Sequence, residues 1–515
     1  MISPLILERP GRWRAAGLAA CFLPAVGLAV PLLWHAMTGQ TGSSIGGSFT
    51  DAVTTSMIAA ALVGAIALLV GFPAGVLAAL YRLPGGSTLL ALVVLPALVP
   101  SLLWAIGWSA LTIRLGSWAI EAVNSMAGIV LVLLALAIPV VVLTSFVTTR
   151  GLAASQVDAA RLCGGERVVL LHACRHAAPA AILAAMLAGV LTLSDPGPGM
   201  SFGRRTAAAD ILTSFSAQYD FVLAGRQSLM LAGIVLLLCV PLIVVAGPRL
   251  VEAVMARQLN PVRPIRSTTM SLWGVILLAV ILVVTLVLPL MGLLLPLLNG
   301  VELSRAIDAL RRTGGNTVYY SFGTGLIAAL LGTACALFAG RSPRWRMFVF
   351  AAALLVLIQP PALIALGLVA LGSSAPAAAD VLLRSPLTVC LGLSVRLFPI
   401  ALLLGMRAWG GMSPSLAHAA AVHGVPLARY LRRVVIPCLA PSAIAAALLA
   451  ALLAAADVGT VLLLHPPGRQ SLPLNIFTVM ANAPESLVAS LCLIYIATAT
   501  AVLAIALPCL KGRAR

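Results

Sequence analysis

The chain has 515 residues, 61% hydrophobic and 9% charged, with a mean hydropathy of +1.11, whereas soluble domains carry roughly 25% charged residues. Water is thereby excluded as the main solvent, because apolar runs of about 20 residues, each long enough to cross a bilayer as a helix, recur from end to end. The net charge of +18 does not point to nucleic acid: nearly all of it is arginine in short segments between apolar runs, as the positive-inside rule places it, and no basic stripe alternates with stacking aromatics.

Met1 to Arg14 carries Arg9, Arg12 and Arg14 ahead of an apolar run over 15–37. That run exceeds the ~7–15 residues of a secretory hydrophobic region and further spans follow, so it reads as an uncleaved first span. Spans are then expected near 54–80, 88–112, 125–147, 178–194 and 228–248, and after a break near 271–295, 316–340, 347–371, 386–406, 440–456 and 486–510. The fold class is accordingly all-α, a polytopic membrane protein of about twelve transmembrane helices. Assigning alternate breaks to alternate sides puts Arg82, Arg150, Arg161, Arg167, Arg175, Arg249, Arg257, Arg263, Arg266, Arg341, Arg344, Arg346, Arg407, Arg429, Arg432 and Arg433 on one side with both termini. That side is expected to be the cytoplasm. The opposite breaks are mixed in sign, among them Arg114 with Glu121, the segment from Asp195 to Arg226, that from Glu302 to Arg312, and Asp380 with Arg384.

The chain repeats itself. Ser56 to Gly75 aligns with Ser321 to Gly340, an offset of 340 − 75 = 265, which also sets Pro96-Ala97-Leu98 on Pro361-Ala362-Leu363. Farther on the offset becomes 424 − 164 = 260 and sets Asp158-Ala159-Ala160 and Gly164 on His418-Ala419-Ala420 and Gly424. Paired loop glycines at one offset are harder to obtain by chance than paired alanines. The expected organisation is a first half over 1–248 and a second over 271–515, each of about six helices in the same orientation. The Arg- and Pro-rich segment 249–270 is the linker.

The long breaks near 148–177 and 409–439 have helical spacing interrupted by glycine: Gly164-Gly165 in the first, Gly424 in the second. In the second, Leu427, Tyr430, Leu431, Val434 and Val435 form one apolar face while Arg429, Arg432 and Arg433 look outward. Both read as amphipathic helix pairs. The order His418-Ala419-Ala420, three residues, Gly424, nine residues, Val434-Val435-Ile436-Pro437 resembles the cytoplasmic signature of ABC importer permeases, Glu-Ala-Ala-x3-Gly-x9-Ile-x-Leu-Pro. Asp158-Ala159-Ala160-x3-Gly164 keeps its front half; the back half departs, reaching Cys174-Arg175-His176-Ala177 and a late Pro179. The whole chain is similar to the fused ferric iron and thiamine permeases. The resemblance implies that Gly164 and Gly424 mark two coupling helices docked on two copies of a separate ATPase subunit, and that an extracytoplasmic binding protein delivers cargo at a bacterial inner membrane. It also implies a short acidic element after the fifth span of each half; Asp195-Pro196-Gly197 and Asp457-Val458-Gly459 stand there. His418 replaces the family's acid, so the two halves are not expected to grip their ATPases alike.

Asp195 and Asp457 end short spans at equivalent places, and Arg396 lies inside a span. Ionisable groups near hydrocarbon are costly and face protein or water, so all three are candidates for the translocation pathway or its gate. Each has a structural alternative: a turn former for the aspartates, a buried pair for Arg396. Pro73, Pro96, Pro100, Pro139, Pro360, Pro361 and Pro399 interrupt spans, as kinks around a cavity or as packing features. The nine cysteines show no zinc spacing, and His172 and His176, four apart, lie in the Arg-rich loop; no metal or cofactor is expected. The segment with Phe215, Tyr219, Asp220 and Phe221 either meets a binding protein or folds back as a cap. No phosphate cradle with a following lysine occurs, Lys511 being the only lysine, so energy is expected from a partner or an ion gradient. The competing functions are a secondary transporter driven by an ion gradient and a non-transporting assembly protein. Ferric iron is the first expected cargo and thiamine the second, both from the resemblance.

Overall fold

The protein, a computed structural model, is described for residues 5, 12–38, 45–255, 264–300, 302–373 and 384–511. Asp380 and linker residues 256–263, with Arg257 and Arg263, lie outside the described residues. Helices make up 86% of the structure, with no strand among the described residues. Ten helices are long and apolar enough to cross a membrane: Trp13–Thr38, Gly47–Leu80, Met126–Arg150, Ala154–Thr192, Phe221–Val245, Thr268–Leu298, Leu303–Ala339, Leu387–Gly411, Leu427–Ala455 and Glu485–Ala504. Two more expected spans are broken: Gly86–Leu98 meets Ser101–Leu115 at 96°, and Pro343–Leu357 meets Pro361–Gly372 at 83°. Counted as one span each, they bring the total to 12. The chain is an all-α multi-pass membrane protein.

The breaks have a local cause. Proline disfavours the α conformation in the residue before it and contributes no N–H. Val99, ahead of Pro100, is extended (φ −114°, ψ 138°), and the other break falls at Gln359-Pro360-Pro361. Leu69, Leu237, Val245, Leu326 and Leu330 remain 60% or more exposed on helices of this hydropathy, which suits a surface solvated by lipid.

Small residues set the helix contacts, as expected where packing rather than hydrophobic drive holds helices together. A Cβ on Gly64 would press on Ala185, and one on Gly325 on Ala447; Gly71 lies against Val141, and Gly332 against Ala401 and Leu402. The first helix, Arg12–Thr38, does not pack mainly on its sequence neighbours. It crosses to Pro361–Ser373 and Leu303–Ala339, its Leu28 carbonyl against Gly367. The helix Leu288–Leu294 makes the reciprocal crossing onto Ser101–Leu115, where the Pro289 carbonyl lies against Gly107. Both of these helices thus pack on elements distant in sequence.

Candidate functional site

Both breaks open onto one cavity of about 410 Å³, lined by Val99, Pro100 and Ser101 from the first break and by Pro360 and Pro361 from the second. The turns Ser194–Gly197 and Ala456–Gly459 close one part of it, and Leu136 and Val140 of the 126–150 helix face the same space as Arg396 and Ile400 of the 387–411 helix. The two turns approach each other: a Cβ on Gly459 would lie 3.9 Å from Pro196 Cγ.

The lining is mostly hydrocarbon, and its charges are the three candidates. Asp195 Oδ1 accepts from Ser101 Oγ at 2.6 Å and from Gly197 N at 2.9 Å. Asp457 Oδ1 accepts from Thr460 N at 2.7 Å, while its Oδ2 pairs with Arg396 Nη1. Each aspartate therefore holds a turn and also lines the cavity. Arg396 forms the ion pair with Asp457 and also lines the cavity: its side chain is 22% exposed and that of Asp457 6%. The two carboxylates differ in partner. Leu136 occupies the place 396 − 136 = 260 positions before Arg396, so Asp195 has a hydroxyl where Asp457 has a guanidinium. The Ser194 hydroxyl, buried on the cavity wall, has no hydrogen-bond partner among the described residues.

The two glycine-bearing segments near 148–177 and 409–439 form a second, separate feature. Helix Ala154–Thr192 is interrupted at Gly164 and Gly165, and Gly165 takes φ 68°; helix Ser415–Val422 ends at a turn where Gly424 takes φ 63°. The left-handed conformation that glycine adopts without steric cost therefore falls on Gly165 in the first copy rather than on Gly164, whose φ of −172° is extended. Asp158, Ala159, His418 and Ala419 are exposed, and Ala160 and Ala420 half-buried. Val157 is buried in a small cluster with Tyr81, Leu152 and Val169, and Ala417 in one with Trp409, Met412 and Tyr430. At the tips, Leu162 is 90% and Val422 84% exposed. Pro437 begins the Ile436–Ala455 helix after a π-turn over Leu431–Val435, where its missing N–H releases a carbonyl of the preceding turn. Pro179 lies inside the helical stretch that follows Gly165 and runs to Thr192, with no break at the proline.

His172 and His176 belong to that same helix, and no group of three metal-ligating side chains occurs among the described residues. The segment after Asp195 folds back. Helix Ala207–Ser216 buries Ala207, Ile211 and Leu212 against the 47–80 and 221–255 helices, and Phe215 meets Phe221 edge to face at 6.5 Å. Tyr219 is left 86% exposed.

No protein-family model, no curated protein and no solved structure matches the chain. Its functional reading rests on the cavity and the paired helices.

The sequence did not point to Ser101 as the partner of Asp195, nor to Leu136 as the apolar counterpart of Arg396. The available signals were a serine directly after Pro100 at the break, and the 260-residue offset read backwards from Arg396.

Proposed function

We propose that the chain is the fused permease of a binding-protein-dependent ABC importer: two related six-span halves that form the pathway and couple it to separate ATPase subunits. The observation that carries this is the pair of exposed tips, Leu162 and Val422, 422 − 162 = 260 positions apart, each on a short helix that ends at a left-handed glycine. An apolar side chain held in water on a well-seated helix suits a surface that a partner covers. Six spans separate the two tips when the 343–372 pair counts as one, an even number that leaves them on the same side.

Duplication is supported by contacts at a constant spacing. Gly64 and Gly325, Gly71 and Gly332, and Gly107 and Gly367 serve matching helix crossings at 261, 261 and 260 positions. This register differs from the 265 read for Ser56–Gly75 by four residues, about one helical turn. Pro100 then corresponds to Pro360, in place of Pro96 to Pro361. The 1–248 and 271–515 halves, each with a span broken at its proline, enclose the cavity between them, as alternating access requires.

The reading includes two ATPase subunits, an extracytoplasmic binding protein, a bacterial inner membrane and cytoplasmic termini. The cavity's two carboxylates against one guanidinium favour a cationic cargo. Ferric iron, which the resemblance names first, would pass here with ligands of its own, since the wall is chiefly hydrocarbon and hard cations take several oxygen ligands; thiamine, an organic cation, is the alternative. The test is purification with the co-encoded ATPase: the permease alone hydrolyses no ATP, and the complex does so in response to loaded binding protein. A second reading, an ion-driven carrier, draws on Asp195, a cavity acid that accepts hydrogen bonds from a hydroxyl and an amide. Substrate exchange in liposomes without any ATPase would favour it and overturn the first.

A further inference from the structure

The 47–80 helix ends at a candidate span boundary, and the 268–298 span begins beside it. The backbone ties the two ends together: Arg82 N donates to Ile265 O at 3.0 Å and Ile265 N to Leu80 O at 2.8 Å, a parallel bridge between Tyr81 and Ile265, and Ser271 Oγ donates to Arg82 O at 3.1 Å. Arg82 and Arg266, both exposed, are thereby fixed on one cleft of about 390 Å³ with Ser267, Thr268, Ser271 and Leu272. Neither guanidinium is in an ion pair among the described residues. Two like charges on the wall of one cleft repel each other, and an anion lying between them would relieve that repulsion.

Further features of the cleft suit an anion with an apolar body. The Thr268–Leu282 helix opens into it without a side-chain cap, and the first N–H groups of a helix attract negative charge. The Ser267 hydroxyl, which would ordinarily cap it, donates instead to Glu166 Oε2 at 3.2 Å; this acid is engaged by the serine. One turn on, Leu272 and Trp273 are each 59% exposed on the face that runs into the lipid-solvated surface. Basic clefts between membrane helices with such a floor receive charged lipid headgroups.

We propose that this cleft binds the phosphodiester of an anionic phospholipid, with Arg82 and Arg266 on the phosphate and an acyl chain along Leu272 and Trp273. Arg82 ends a span of the first half and Arg266 precedes the first span of the second, so the bound lipid joins the two. The site is independent of the cargo and of the energy source.

The test uses the full chain in nanodiscs or detergent, with lipid binding followed by native mass spectrometry and by Tm. Phosphatidylglycerol should bind in preference to phosphatidylcholine and raise Tm. Arg82→Gln and Arg266→Gln should each weaken it about five-fold, and together on the order of 30-fold, the effect of losing basic groups near an anionic surface. Arg432→Gln with Arg433→Gln, at the other basic loop, should leave it intact. Should the double variant not be obtained folded, the two single variants carry the measurement. Unchanged phosphatidylglycerol preference in the Arg82 and Arg266 variants would overturn the proposal. So would an arginine-dependent shift produced by inorganic phosphate and not by the lipid.

Discussion

Arg396→Leu installs the residue type found 260 positions earlier at Leu136, and it leaves Asp457 as a carboxylate without its cation. Removing one partner of a buried pair costs about 3–5 kcal/mol, because the survivor stays charged and desolvated. The side chain of Asp457 is only 6% exposed, but that of Arg396 reaches the cavity at 22%. Water admitted there lowers the expected loss to about 1–3 kcal/mol, seen as a fall in Tm of a few degrees. Adding Asp457→Asn removes the stranded charge while an amide oxygen still accepts from Thr460 N. The double variant should therefore recover most of the stability. The assay is thermal unfolding of the purified chain, followed by tryptophan fluorescence, for the wild type, both single variants and the double. If Arg396→Leu unfolds with the wild type, or the double variant is no more stable than Arg396→Leu, the pair does not carry the charge balance described above.

Asp195→Asn retains an acceptor for Ser101 Oγ and Gly197 N, so stability should change by less than about 1 kcal/mol while uptake of a cationic solute falls at least ten-fold in a proteoliposome assay. Gly332→Leu drives a side chain into Ala401 and the backbone of Leu402; overpacking of this kind costs about 1–3 kcal/mol or more and should appear as a lower Tm and poor recovery from the membrane. A Cβ on Gly424 meets no atom within 4 Å, so Gly424→Val strains only its left-handed backbone, by about 1–2 kcal/mol. The chain should insert normally but transport poorly when assembled with its ATPase. Leu162→Asp and Val422→Asp, on side chains 90% and 84% exposed, should leave Tm within about a degree yet reduce co-purification of the ATPase at least ten-fold.

The spans were legible because hydropathy over 20 residues reports directly on burial in a bilayer. Even the broken ones were found, although the run over 88–112 gave no sign that the chain turns at Pro100 rather than Pro96. The spacing of the proposed repeat was harder to read. Alanine-rich helices align almost equally well one turn apart, and the spacing proposed above draws on partners distant in sequence, such as Ala185 for Gly64 and Ala447 for Gly325. The crossing of the first helix to Pro361–Ser373 could not be seen in the sequence, because nothing in the run around Leu28 names Gly367 as its neighbour. The three cavity charges were each conspicuous against hydrocarbon. Their pairing was not, since Arg396 and Asp457 approach only once the 387–411 and 436–455 helices pack together. The position of the reversing glycine was ambiguous wherever two stand in a row, as at Gly164-Gly165.

The exposure and sidedness of the two tips can be measured together. In a chain with Cys163→Ser and Cys438→Ser, single cysteines placed as Leu162→Cys or Val422→Cys are treated with a membrane-impermeant maleimide, on right-side-out and inside-out vesicles, with and without the ATPase. Labelling of both positions from the cytoplasmic side alone, with at least ten-fold protection by the ATPase, is the expected result. Labelling of the two positions from opposite sides, or equal labelling whether or not the ATPase is bound, would contradict paired docking.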